Sequence, residues 1–330
     1  MKKIINNPDQ FVDEMVEGIL LAHPDQVKTP GDDRRVLVRA DSPAPGRVGI
    51  VTGGGSGHLP LFKGYVGRGL CSGVAIGNVF SSPSVQQCAD AAKAVDGGAG
   101  VLFLYGNYGG DVFNFDLAVD LLELDGIETR TVLGCDDVAS QPKERARDRR
   151  GVAGIFFAYK AAGAAAERGD SLDEVAAVAQ KVVDNTATMG VGLSPTILPT
   201  TGSPSFELPD GEMEIGIGIH GEPGIHRGPL GTADEIADRI LDSVIPDLGL
   251  REGDRVAVLV NGLGATPLEE LYLLYRRTHR RLTDLGVVIK RRYVGEYATS
   301  LEMAGASISL LRLDDALLDA PAQSPFFREA

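Results

Sequence analysis

The run Val101-Leu102-Phe103-Leu104-Tyr105 is apolar at every position and passes directly into Gly106-Asn107-Tyr108-Gly109-Gly110-Asp111. A strand without a polar face has to be covered on both sides, as in a sheet enclosed by helices. The same pattern occurs upstream, where Val48-Gly49-Ile50-Val51 leads to a turn at Gly53-Gly54-Gly55-Ser56-Gly57-His58. Helical spacing follows over 112–125, and Thr129–Leu133 reads as the next strand. Helices are expected at 151–168 and 171–187, the second opened by a capping box of Ser171 and Glu174. Asn7-Pro8 fits a helix start, with Phe11, Met15 and Ile19 on one face. This alternation of strand, loop and helix predicts a layered α/β fold.

With 330 residues, the chain is long enough for two domains. Pro195, Pro199, Pro204 and Pro209 interrupt the segment after Met189. The expected division is therefore an N-terminal α/β domain at 1–190 and a C-terminal α/β domain at 191–330. The second half predicts a strand at 213–219, a helix at 232–244, a buried strand at Val256–Val260 and a long helix after Pro267. Further strands are expected at 286–294 and 306–313.

A formal charge of −14 argues against nucleic acid or an anionic membrane as the main partner. No apolar run approaches the roughly 20 residues of a membrane helix, and Asp13, Glu14 and Glu17 interrupt the N-terminal stretch, so a cytoplasmic protein is expected. Cys71, Cys88 and Cys135 are scattered, which suits free thiols in a reducing compartment rather than disulfides or a CxxC metal pair.

Three glycine-rich loops each present one reactive side chain: His58, Asp111 and His220. The last lies in Ile215-Gly-Ile-Gly-Ile-His220-Gly-Glu-Pro-Gly224, at the end of an alternating, strand-like run. A neutral imidazole is a nucleophile, and glycines let a ligand approach the backbone closely. Each residue also has an ordinary structural reading: the glycines as a turn, His220 as a packed histidine, Asp111 as a helix N-cap. The first loop lacks both the Walker spacing and G-x-G-x-x-G, so a nucleotide site is not supported. His226 stands six residues from His220, a spacing that is poor ground for a metal site. Asp136-Asp137 reads as a turn cap, and Asn261–Pro267 as a strand-to-helix turn open to an interface role. The pairs Arg276-Arg277, Arg280-Arg281 and Arg291-Arg292 read as solvated faces.

Taken together, these motifs resemble the K subunit of dihydroxyacetone kinases. The resemblance is carried by Arg-Ala-Asp at 39–41, Gly-Gly-Gly-Ser-Gly-His at 53–58, Asn-Tyr-Gly-Gly-Asp at 107–111 and Gly-Ile-His-Gly-Glu-Pro-Gly at 218–224. Val-Asn-Gly-Leu-Gly-Ala-Thr-Pro-Leu at 260–268 and Thr-Ser-Leu-Glu-Met at 299–303 complete a collinear set. The resemblance implies that His220 holds a small hydroxyketone as a covalent hemiaminal. Asp111 and His58 then act on a terminal hydroxyl, Asp111 as the favoured base and His58 as hydrogen-bonding partner or acid/base. It places Gly55, Ser56, Gly57, Leu59 and Gly106 around the substrate. No cofactor or metal is expected on this chain. ATP or ADP with Mg belongs to a separate L subunit, charged by nucleotide or by a phosphotransferase-system protein, and a homodimer is expected. Family members acting on dihydroxyacetone usually carry Glu where Leu59 stands and Lys where Gly106 stands. Losing both predicts a roomier, less polar pocket suited to a larger ketose, such as erythrulose or a branched pentulose. The competing reading is a carbonyl-ligand sensor or co-regulator on the same fold, without turnover.

Overall fold

The computed structural model describes residues 2–314, 322–324 and 326–329. Its first sheet contains β1 (Val27–Lys28), β2 (Val36–Arg39), β3 (Gly49–Ser56), β4 (Gly73–Val79), β5 (Val101–Gly106) and β6 (Thr129–Gly134). Its order is β1-β2-β4-β3-β5-β6, and the four strands from β4 to β6 run parallel. The helices of this half are α1 (Phe11–Ala22), α2 (Val85–Val95), α3 (Gly109–Leu124), α4 (Ile155–Arg168) and α5 (Leu172–Asp184). The chain leaves β3 for β4 on one side, then crosses to β5 on the other. That reversal opens a crevice at the carboxyl ends of β3 and β5, where α/β sheets place their ligands. His58 follows β3 and Asp111 follows β5, so both emerge there.

The second half contributes β7 (Thr186–Ser194), β8 (Glu212–Ile215), β9 (His226–Pro229), α6 (Ala233–Leu248), β10 (Arg255–Gly262), α7 (Leu268–Asp284), β11 (Val288–Gly295) and β12 (Ala304–Leu313). These strands form a sheet of order β11-β10-β12-β7-β8-β9, antiparallel except for the β10–β11 pair. The second sheet begins at Thr186, so the expected boundary at 190 falls inside β7. The prolines mark the excursion between β7 and β8.

Three apolar cores give the layer order. One lies on the outer face of the first sheet and joins Val51, Phe103 and Tyr105 to α2 and α3. A second lies on the outer face of the second sheet and joins Val258 and Ile308 to α6 and α7. The largest lies between the sheets, where Ile50, Leu102 and Leu104 meet Ala257, Leu259 and Leu311 across α4 and α5. The sequence of α4 suits that central position. Ile155 through Ala166 is buried all round, as a helix enclosed by protein must be, and its alanines let both sheets approach closely. Among the described residues, no helix is long and apolar enough to cross a membrane.

Candidate active site

The first glycine loop is not a loop. β3 continues through Gly53, Gly54 and Gly55 to Ser56, all buried. The glycines are required by packing rather than by an anion. A Cβ on Gly54 would lie 2.4 Å from the Phe62 ring, and one on Gly57, at φ +110, would lie 2.7 Å from the Phe80 ring. Ser56 uses its hydroxyl internally, donating to the Gly77 carbonyl at 2.9 Å. Only after Gly57 does the chain turn and deliver His58, which is fully buried.

His58 is held by the second half of the molecule. Its Nδ1 lies 2.8 Å from the Thr299 carbonyl oxygen, and Thr299 Oγ1 donates to the Leu59 carbonyl at 2.8 Å. The backbone N–H of Leu301 donates to the Gly57 carbonyl at 2.6 Å. Phe80 stacks on the imidazole with centroids 5.0 Å apart, and Phe62 meets its edge. Burial holds the His58 imidazole well below the usual histidine range, and the nearby His220 adds to this.

His220 projects from the turn after β8. The strand ends at Ile215, earlier than the alternating pattern predicted, because Gly216 at φ +81 turns the chain out of the sheet. Glu222 then holds His220 at two points. One carboxylate oxygen lies 2.8 Å from Nδ1, and the other accepts the His220 backbone N–H at 2.9 Å. Burial raises the Glu222 carboxyl, but the His220 hydrogen bonds and charge overcome this and hold it at about 2, so it is ionised. Arg150 stands 3.9 Å from Glu222 and 2.7 Å from Asp137. The Nε2 of His220 points at Nε2 of His58, 3.1 Å away. Tyr108 packs edge-on against His220 with centroids 4.8 Å apart.

Asp111 is not the cap of α3. The cap is Tyr108, and Asp111 lies in the first helical turn, 6% exposed. Its Oδ1 is buried with no hydrogen-bond partner. Burial pushes the carboxyl up to about 6, against the Ser82 hydroxyl and the charge of His220. An ionisable oxygen buried without a partner and within the field of His220 has the character of a candidate proton acceptor.

The remaining expected substrate residues are less exposed to a ligand than the sequence suggested. Gly106 ends β5, and a Cβ there would lie 3.3 Å from Cε2 of Tyr108. The space beside Gly106 is therefore taken by the Tyr108 ring, and the wall here is aromatic rather than open. Leu59 is half-buried next to His58. Asp136 accepts the backbone N–H groups of Val152 and Gly154, at 2.9 and 2.8 Å, as a turn cap does. Asn261 is buried and points inward. Its amide donates to the Ala298 carbonyl, and its oxygen accepts from Tyr297 and Ala298. That pins the segment leading to Thr299. Sequence reasoning gave no role to Glu222, Thr299, Phe80 or Tyr108. For Glu222 the signal was present in the His-Gly-Glu spacing, which lets a carboxylate reach back to the ring. Among the described residues, no group of three or more His, Cys, Asp or Glu side chains is placed to hold a metal ion.

The Dak1 domain matches residues 17–326. The chain is 46% identical over 331 residues to "PTS-dependent dihydroxyacetone kinase 2, dihydroxyacetone-binding subunit DhaK" of Listeria innocua, covering 99% of both chains. It is 43% identical to an L-erythrulose 1-kinase of Mycolicibacterium smegmatis, with 99% of this chain covering 58% of that longer protein. Among solved structures, the dihydroxyacetone kinase of C. freundii superimposes with a TM-score of 0.87 at 30% identity, covering 100% of this chain and 62% of that one.

Proposed function

The chain belongs to the Dak1 domain family, and from that membership and the site geometry we propose that it is the substrate-binding subunit of a dihydroxyacetone-type kinase. The substrate is a small hydroxyketone, held as a hemiaminal on His220 while one terminal hydroxyl is phosphorylated. One observation carries this reading: Glu222 pins Nδ1 of His220, which leaves Nε2 as the nucleophilic atom, aimed at His58 within a buried site. A ketone carbon is electrophilic enough for imidazole, so capture needs no cofactor. A polyol lacking the carbonyl is not captured. The covalent bond also fixes which hydroxyl faces the donor, an orientation effect. Asp111, with Oδ1 unpartnered and its carboxyl pushed up to about 6, accepts the proton of that hydroxyl, and His58 assists.

Phosphoryl transfer needs charge neutralisation and an in-line donor. In this reading a separate L subunit brings the nucleotide and Mg, recharged from ATP or from a phosphotransferase-system protein. The reading also takes the chain to be a cytoplasmic homodimer. A pure carbonyl sensor has no need for a buried base such as Asp111. The paired changes at Leu59 and Gly106 leave the pocket edge less polar, which favours a ketose longer than three carbons whose added carbon packs on the Tyr108 ring that fills the space beside Gly106. The test is intact-protein mass after incubation with single ketoses, comparing wild type with His220→Ala. The expected result is an adduct of the whole ketose mass, absent from the variant. A folded wild-type protein that labels with no ketose would sink the reading.

A further inference from the structure

The hydrogen bonds that orient the two histidines also fix their proton count. Thr299 offers a carbonyl oxygen to Nδ1 of His58 at 2.8 Å, and a carbonyl only accepts, so that nitrogen carries hydrogen. Glu222 offers a carboxylate to Nδ1 of His220 at 2.8 Å, so that nitrogen carries hydrogen as well. If each ring held a single hydrogen, both Nε2 atoms would be bare, lone pair against lone pair at 3.1 Å. His58 is fully buried and the His220 side chain 24% exposed, so solvent reaches the pair only from the His220 side. Moving the His58 hydrogen to Nε2 would turn a lone pair on the Thr299 oxygen, and the same change in His220 would turn one on the Glu222 carboxylate. One additional proton between the two Nε2 atoms removes every one of these conflicts.

We propose that the free site stores one proton between Nε2 of His58 and Nε2 of His220, and that capture of a ketone passes this proton to the new carbinol oxygen, with none drawn from solvent. The second half of this statement rests on the hydroxyketone reading above; the first half does not.

The charges around the pair permit such a store. Glu222 on the same turn and Asp111 on α3 favour an added positive charge. Lys63, on the turn after β3, and Arg150, beside Glu222, oppose it. Phe80, Phe62 and Tyr108 fill the remaining faces with rings. Burial disfavours a charge on His58, so the proton rests toward His220, the ring that faces Glu222.

The capture step balances without an outside acid. The shared proton moves fully onto Nε2 of His58, which frees the lone pair on Nε2 of His220. That lone pair forms the bond to the ketone carbon, and the carbonyl π electrons pass to oxygen. The oxygen takes the proton from His58 Nε2 and becomes the carbinol hydroxyl. His220 is left as an N-alkylated imidazolium against Glu222, and His58 is neutral. One positive charge is present before and after. In the free protein the same proton caps the nucleophile until a carbonyl is in place.

Two measurements on the full chain decide this. In histidine-15N-labelled wild-type protein near pH 7, the pair should show three protonated ring nitrogens, falling to one on the remaining ring in His220→Ala. Two neutral rings in the wild type would overturn the stored proton. Calorimetry of ketose binding in two buffers of different ionisation heat should then give a proton uptake near zero per adduct. An uptake of about one proton per adduct would overturn proton-neutral capture. If no ketose forms an adduct, the hydroxyketone reading fails and the second half with it, and the nitrogen count alone decides the stored proton.

Discussion

In the proposed capture, Glu222 selects the tautomer of His220 and stabilises the cation that follows. Glu222→Gln keeps the size but loses the charge, so covalent capture should slow about 100-fold, or roughly 2.7 kcal/mol in the barrier. Rates of adduct formation by mass spectrometry would check this, and an unchanged rate would remove Glu222 from the mechanism. In the proposed reaction Asp111 sets the pH response. Its folded-state value is raised to about 6, and the base form is the carboxylate, so kcat/KM should fall as pH drops through about 6. A pH–rate profile of the reconstituted kinase with its acidic limb near 4 would mean that burial is not felt at the base. His58, Asp111 and His220, the three candidate residues, stand out in the sequence because each lies beside glycines, which are costly to keep without a close approach. Thr299 and Phe80 were not. The Thr299 contact with His58 spans 241 residues, and nothing local to either residue announces it.

Elements place these side chains, and some do so through a single buried amide. Asn261, at the end of β10, makes hydrogen bonds to Tyr297, Ala298 and Ser307 while fully buried. Asn261→Ala would strand several backbone groups and should cost about 3 kcal/mol. It should also lower activity, since the segment it holds carries Thr299. Denaturant unfolding and kcat/KM on one preparation would separate the two effects. Ser171→Ala removes a capping box far from the site and should cost about 1 kcal/mol with activity intact, which makes it a control. The helices begun by Asn7-Pro8 and by the Ser171 capping box and most strands were readable in the sequence, whereas α2, with its own capping box at Ser84 and Gln87, was not read. The run at 53–57 was misread because glycine signals a turn in isolation, whereas here it lets Phe62 and Phe80 lie against a strand. The arginines of α7, expected to be solvated, instead clip that helix to α6: Arg277 and Arg281 reach Asp238, and Arg276 reaches Asp234. Such exposed pairs contribute little singly.

At the scale of the whole molecule, two sheets share the enclosed core around α4, and the candidate site lies on their seam. His58 and Asp111 belong to the first half, and His220 and Thr299 to the second. Arg149, 4% exposed, ties the halves together by a two-pronged pair with Asp247 at 2.7 and 2.9 Å. Asp247→Ala would leave that guanidinium buried without its counter-charge and should destabilise by about 3 kcal/mol, read as a drop in the denaturant midpoint. The seam was the least legible level, because layer order depends on which apolar faces meet, and a single chain of alternating elements does not state it. The seam also sets a schedule for biosynthesis. The His58–His220 pair is separated by 162 residues, so a ribosome releases the first ring long before the second exists. Until the later half docks, the emerging polypeptide has no primed imidazole with which to react indiscriminately with the sugars and aldehydes around it.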